Sequence, residues 1–317
     1  MLGVTQEVRP LRFINRYGDR IFLDSRDLIR LLEKNEPLSS TAFSKELVAR
    51  NARLVLLPST VTELIPYKPG GVVDVARTAD LMRRLESIPH VYLRSPDLAL
   101  RECRVTLDAY HDGVTLRTVD PYVERWWNTM WKIPPSIAPY VMPPFHIAYL
   151  NSLSLPEQIN FLLAEPEVIR FTEAHQEKAR LAMAKDREKF GTRRGTNEAF
   201  TGALARLIIW GGWPEPRGGI GAFVKHVKMT REALKGWKTG FAVWEEFRCN
   251  LTARAETSDL PDFSHVQILP YVSYATLDRA WQVRCEQALK RLAKLGDHTA
   301  DHLRRVHPSL ESILAIW

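Results

Sequence analysis

The chain has 317 residues, 45% of them hydrophobic and 26% charged, which is the balance of a globular protein able to bury one large core or two. No apolar run is long enough to span a bilayer, and the first residues lack the basic-then-apolar pattern of a secretory leader, so a cytoplasmic protein with no membrane partner is expected. A net charge of +7 and a pI of about 9.3 favour a polyanionic partner, nucleic acid above all, or else mark a merely basic surface.

In chain order, Arg20-Ile21-Phe22-Leu23-Asp24 is a short apolar run closed by an acid. Leu28, Ile29, Leu31 and Leu32 then recur at helical spacing, with Asp24 or Ser25 as the cap. A second amphipathic helix is predicted from Thr41 to Asn51. Leu54-Val55-Leu56-Leu57 reads as a buried strand, and Pro58-Ser59 opens a helix carrying Glu63. The turn Lys68-Pro69-Gly70-Gly71 breaks the chain. A long helix from Val73 to Ser87, a strand at His90-Val91-Tyr92-Leu93, and a helix from Pro96 and Asp97 through Glu102 follow. This alternation predicts an α/β fold, a parallel sheet with helices on both faces. In such sheets the ligand site lies beyond the carboxyl ends of the strands.

From Thr106 to Ala255 the pattern changes to Trp-rich helical spacing with no convincing strand, interrupted by Ile133-Pro134-Pro135 and Val141-Met142-Pro143-Pro144. A charged helix is predicted from Glu167 to Phe190, and basic clusters follow at Arg193 and Arg194 and at Lys225, Lys228, Arg231, Lys235 and Lys238. This block reads as a helical insertion, giving a first α/β part at 1–105, the insertion at 106–255 and a second α/β part at 256–317. After Asp278 a helix from Arg279 to Lys294 is expected, and the tail from His307 to Trp317 should pack back on the domain. Cys103, Cys249 and Cys285 are odd in number and lack metal-ligand spacing, so they read as reduced, mostly buried thiols.

Acids gather at the predicted strand ends. Asp24 ends the first strand, Glu63 lies on the helix after the second, and Asp278 follows the strand that includes Thr276. Asp259 and Asp262 are three apart, so a helix puts them on one face. Like charges brought this close repel, and a divalent cation between them would reverse the balance.

These pieces resemble the PIN domain, the fold of metal-dependent ribonucleases that includes many toxins of bacterial toxin–antitoxin pairs. The resemblance is carried by Ile21-Phe22-Leu23-Asp24, by Leu54-Val55-Leu56-Leu57-Pro58-Ser59-Thr60-Val61-Thr62-Glu63-Leu64, by Asp262-Phe263-Ser264-His265 and by Tyr274-Ala275-Thr276-Leu277-Asp278, in that order. It covers about residues 20–105 and 256–300, and the long insertion is like that of larger bacterial PIN-like proteins. It implies a three-layer α/β/α domain and a nuclease that hydrolyses phosphodiester bonds, RNA favoured over DNA. It also implies Mg²⁺ or Mn²⁺ as cofactor, since hard divalent ions take oxygen ligands. An inhibitor protein is a further partner the resemblance allows. The other reading is a non-catalytic PIN-like scaffold whose helical insertion binds nucleic acid or a partner protein.

On this assignment Asp24, Glu63, Asp262 and Asp278 are the metal ligands and the catalytic set. Asp259, Thr276 and His265 stand behind them or touch substrate. Arg193, Arg194, Lys225 and Lys228 are candidates for phosphate contacts, and Trp210, Trp213 and Trp237 for stacking on unpaired bases. Each residue also has an ordinary reading. Asp24 and Asp259 can be helix caps, Glu63 and Asp262 solvated polar residues, and His265 a buried, hydrogen-bonded histidine. Thr276 can be a plain β-branched strand residue, and the tryptophans core. Asp27 and Glu102 read as surface or supporting acids. A phosphatase with Asp-x-Asp after the first strand is excluded by Asp24-Ser25-Arg26, and a dinucleotide site by the lack of a Gly-rich turn there.

Overall fold

The four central strands are three or four residues long and mostly apolar, the signature of a parallel sheet covered on both faces. The computed structural model describes residues 18–33, 39–68, 72–94, 97–124, 153–163, 177, 180–181, 184–185, 188, 193–250 and 259–317. β1 (Arg20–Phe22) leads through Asp24 into α1 (Ser25–Leu32), and α2 (Ser40–Ala49) precedes β2 (Arg53–Leu56) and α3 (Pro58–Glu63). A small hairpin of β3 (Tyr67–Lys68) and β4 (Val72–Val73) is followed by α4 (Val75–Glu86), β5 (His90–Leu93), α5 (Asp97–Asp112) and β6 (Tyr122–Val123). Then come α6 (Leu155–Leu163), α7 (Arg193–Trp210), α8 (Gly219–Met229), α9 (Lys235–Cys249) and α10 (Asp259–Gln267). The chain closes with β7 (Tyr274–Thr276), α11 (Arg279–Lys294), α12 (Ala300–Leu303), β8 (Val306–His307) and α13 (Leu310–Ile316).

The six-stranded sheet has the order β6-β5-β2-β1-β7-β8, parallel except for the β5–β6 pair. From β1 the chain winds outward to β2 and β5, then returns to add β7 and β8 on the other side. The winding therefore reverses between β1 and β7, the kind of point beyond whose carboxyl ends open α/β sheets bind ligands. Successive strand residues face opposite ways. Ile21, Leu54 and Leu56 bury against α1, α2, α4 and α13 through Leu28, Phe43, Leu81 and Ile313. Phe22, Val55, Val91 and Ala275 bury on the other face against Trp244, Phe247, Val266 and Trp281.

The mixed α/β class with a largely parallel sheet is as expected. Several boundaries differ. The helix predicted through Glu102 runs on to Asp112, and β6 lies in the segment read as strand-free. The block read as an insertion is not set apart, because α9 supplies Val243, Trp244 and Phe247 to the cluster that covers the sheet. α6 adds Leu155 and Ile159 to the cluster on the other face of the sheet, and α7 and α8 make a third cluster with α5, built on Cys103, Leu107, Phe200, Leu204 and Phe223. Most of the predicted helix from Glu167 to Phe190, and both proline stretches, lie outside the described residues. Cys103 and Cys285 are buried thiols, whereas Cys249 is exposed. The tail packs back as α13, with Ile313 fully buried and Trp317 against Phe43. Among the described residues no helix is long and apolar enough to cross a membrane.

Candidate metal centre

Asp24 leaves β1 at the reversal point and caps α1, Oδ1 accepting the Ser25 N–H at 2.9 Å. Its own backbone N–H donates to the Thr276 hydroxyl at 3.0 Å. The β1–β7 ladder ends at Phe22 and Ala275, so this side-chain bond extends the pairing by one step and ties Asp24 to the end of β7. Two residues later Asp278 caps α11, Oδ1 accepting the Trp281 N–H at 2.9 Å. Both acids therefore sit at helix starts, where the positive end of the helix dipole favours negative charge.

α10 precedes β7 and runs back toward it, which brings its first turns to the carboxyl edge. Asp262 and His265 are one turn apart and share a face. The opposite face is seated by α9. Phe263 packs on Trp244 with ring centroids 4.8 Å apart. A Cβ on Gly236 would lie 2.8 Å from the Gln267 carbonyl oxygen, and one on Gly240 would lie 2.7 Å from Gln267 Cγ. Only glycines at these two positions allow α10 so close.

The result is a compact group: one ligand atom each from Asp24, Asp262 and His265 lies within 4.8 Å of the other two. His265 Nδ1 is 4.0 Å from Asp24 Oδ1 and 3.9 Å from Asp262 Oδ1, and Nε2 is 3.3 Å from the Thr60 hydroxyl. The first two distances exceed hydrogen bonds. The ring is fully buried beside Phe22, and burial pushes its pKa down to about 3. It is therefore a neutral imidazole, the form that binds metals.

Burial also raises the Asp24 carboxyl to about 6; the Ser25 N–H and Arg26 oppose this, while Asp27 and Asp278 add to it. Glu63 closes α3. The residue keeps exposed surface, yet its carboxyl is crowded enough that lost hydration raises its pKa to about 7. The Ser25 hydroxyl bonds to it and acts the other way, and the Asp24 charge raises it further. Arg26 and Arg30 lie 3.7 and 3.8 Å from Asp27 rather than on the Asp24–Asp262–His265 group.

The expected set is thus redistributed. Asp24 and Asp262 are in the tight group, and His265, expected behind the ligands, is its third member. Glu63 and Asp278 flank Asp24 without joining the group. Thr276 is buried and fixes the Asp24 backbone. The Asp259 side chain lies outside the described residues, as do those of Arg193 and Arg194, which open α7. Lys225 and Lys228 are exposed on α8, Lys228 donating to Asn197 Oδ1 at 2.6 Å. Trp213 and Trp237 are half-buried in the α5–α7–α8 cluster, and Trp210 is 42% exposed. Asp27 and Glu102, read as surface or supporting acids, are both buried, and Glu102 is bonded to Tyr271 rather than to this group. Ser25 and Thr60 were not anticipated; their only signal is position, just after β1 and β2.

No protein-family model, no curated protein and no solved structure matches the chain. The donor set speaks for itself. A buried and a half-buried carboxylate beside a neutral imidazole suit a divalent cation. It could hold such an ion beyond the carboxyl ends of β1 and β7, where ligands bind in open α/β sheets.

Proposed function

We propose that the chain is a divalent-cation-dependent phosphodiesterase acting on nucleic acid, RNA in preference to DNA. The observation that carries this reading is the convergence of Asp24, Asp262 and His265 at the reversal point of the sheet, with Asp278 acting on Asp24 and Asp24 on Glu63. The order of motifs shared with PIN domains and the net charge of +7 support it.

In this reading Asp24, Asp262 and His265 hold the ion, and Glu63 and Asp278 add negative charge beside it. Mn²⁺ suits the site better than Mg²⁺, because one donor is an imidazole. A bound ion of this kind supplies a water of lowered pKa and offsets charge on the scissile phosphate. The protein's own part is placement. Thr276 fixes the Asp24 backbone, Thr60 orients His265, and the Ser25 hydroxyl links the Glu63 carboxyl to the start of α1.

The test is cleavage of single-stranded RNA and DNA by the purified chain with Mn²⁺, together with calorimetric titration of Mn²⁺. Cleavage that requires the ion and disappears in Asp24→Asn is expected. Saturable nucleic-acid binding without turnover, unchanged in Asp24→Asn, would point to a scaffold instead.

A further inference from the structure

The opposite edge of the same sheet carries the opposite charge. Arg20 opens β1, Ser273 precedes β7 and Arg305 precedes β8, so three neighbouring parallel strands deliver these side chains to their amino ends. Together with Lys235, the first residue of α9, they line a cavity of about 520 Å³. The acid on its wall is Glu232, 2.9 Å from Lys235 Nζ and largely in solvent. The lining therefore carries three cations against one carboxylate.

The two guanidinium groups are the informative ones. Among the described residues neither Arg20 nor Arg305 has a carboxylate within 4.0 Å. Arg20 lies over the Tyr122 ring, 5.4 Å from its centroid, and its Nε is buried with no hydrogen-bond partner. Arg305 gives its hydrogen bonds from Nη1 alone, to the carbonyls of Leu269 and Val272 at 3.0 and 2.7 Å. Burial lowers the Arg305 pKa; Tyr122 opposes this, the like charge of Arg20 adds to it, and Asp301 and Glu232 act against it more weakly. Half-buried cations that repel each other and retain unused N–H donors are stabilised by an anion between them. Planar guanidinium forks match phosphate oxygens. The volume is that of a pocket for a small organic molecule rather than a bare ion.

We propose that this cavity binds a small phosphate-bearing anion of mononucleotide size, its phosphate held between Arg20 and Arg305 with Lys235 on the cavity wall. The site is independent of the acidic group on the far edge and does not rest on the nuclease reading.

The experiment is thermal denaturation and calorimetric titration of the full chain, in chelator, with inorganic phosphate and with each of the common nucleoside 5′-monophosphates. A saturable rise in melting temperature is expected. Tighter binding of a monophosphate than of inorganic phosphate identifies the ester as the ligand, and equal binding identifies free phosphate. Arg20→Gln should weaken binding by about tenfold or more. Lys235→Gln, which removes a mostly buried cation already paired with Glu232, should weaken it by about threefold. Arg20→Lys should restore part of the loss in Arg20→Gln, and Asp24→Asn should leave binding unchanged. Absence of a saturable response to every probe overturns the proposal. So does binding that is equal in the wild type, Arg20→Gln and Lys235→Gln, or binding that needs Mn²⁺ and vanishes in Asp24→Asn, since the anion would then sit elsewhere.

Discussion

The two edges of the sheet differ in charge, and the difference follows from chain direction. At the carboxyl edge β1 and β7 pass into helices, so Asp24 and Asp278 land on helix starts whose backbone N–H groups donate to them. At the amino edge the chain arrives from a helix or loop, and the side chains that meet there are Arg20, Arg305 and Lys235. Among the described residues, a basic protein thus keeps a compact acidic group on one rim and two arginines with no carboxylate within 4.0 Å on the other, with buried strands between. The acidic rim invites a cation and the basic rim an anion, so each edge can be tested without disturbing the other.

The largest effect is expected at Asp24. Asp24→Asn keeps the acceptor for the Ser25 N–H but removes a charge from the Asp24–Asp262–His265 group. Mn²⁺ affinity should fall by at least about a hundredfold and cleavage by about a thousandfold, while the melting temperature holds or rises because a buried charge is gone. Unchanged Mn²⁺ affinity in this variant would remove the contrast between the edges. Next is Gly236→Ala. Its Cβ would press on the Gln267 backbone oxygen at 2.8 Å and push α10 off its seat. A loss of about 3 kcal/mol in chemical denaturation, with weaker Mn²⁺ binding, is expected. Gly202 on α7 has nothing within 4 Å of an added Cβ, so Gly202→Ala should stabilise by about 0.5–1 kcal/mol and leave Mn²⁺ binding intact.

What was legible in the sequence is tied to chain direction too. Asp24 and Asp278 were readable because an apolar run ending in an acid marks a strand end, and Asp262 and His265 because three-residue spacing marks a helix face. The hand-over from Glu63 and Asp278 to His265 as the third member of the tight group was not readable. It depends on how far α10 leans over β1, which Gly236 and Gly240 decide from a segment read as an insertion. β6 and β8 are two residues each, too short to show any period. The amino-edge cavity left no pattern, because its cations come from separate segments and neighbour one another only through the β1–β7–β8 pairing.

A third perturbed acid sharpens the comparison, because it shows that a raised pKa alone does not make a metal site. Glu102 is buried on α5 and accepts the Tyr271 hydroxyl at 2.6 Å. Burial raises its pKa from 4.5 to about 7, against the pull of Tyr271 and Lys235. The folded state thus holds this proton more tightly than the unfolded chain. Its contribution to stability is complete below about pH 4.5 and is lost as pH rises through about 7. Glu102→Gln keeps an acceptor for Tyr271 and removes the titration. At pH 8 the variant should be more stable than wild type by on the order of 2 kcal/mol, with the two converging toward pH 5 and Mn²⁺ affinity unchanged. Equal pH profiles would show that the carboxyl is ionised at no cost.

A smaller effect on the acidic rim is expected at Thr276, where the strand pairing and that rim meet. Thr276→Val keeps the branched shape in a fully buried position but removes the acceptor of the Asp24 N–H. The loss should be about 1 kcal/mol, since one hydrogen bond goes and the buried amide is left without a partner. Backbone freedom at Asp24 should lower Mn²⁺ affinity by about tenfold, as for other residues that orient a ligand from behind. Thr276→Ser restores the hydroxyl and should recover most of the Mn²⁺ affinity, though it loses a buried methyl group and so remains somewhat less stable. Affinity that follows the hydroxyl while stability follows the methyl is the outcome that separates positioning from packing. If both follow the methyl, Thr276 is only filler between β1 and β7, and the acidic rim holds its geometry without it.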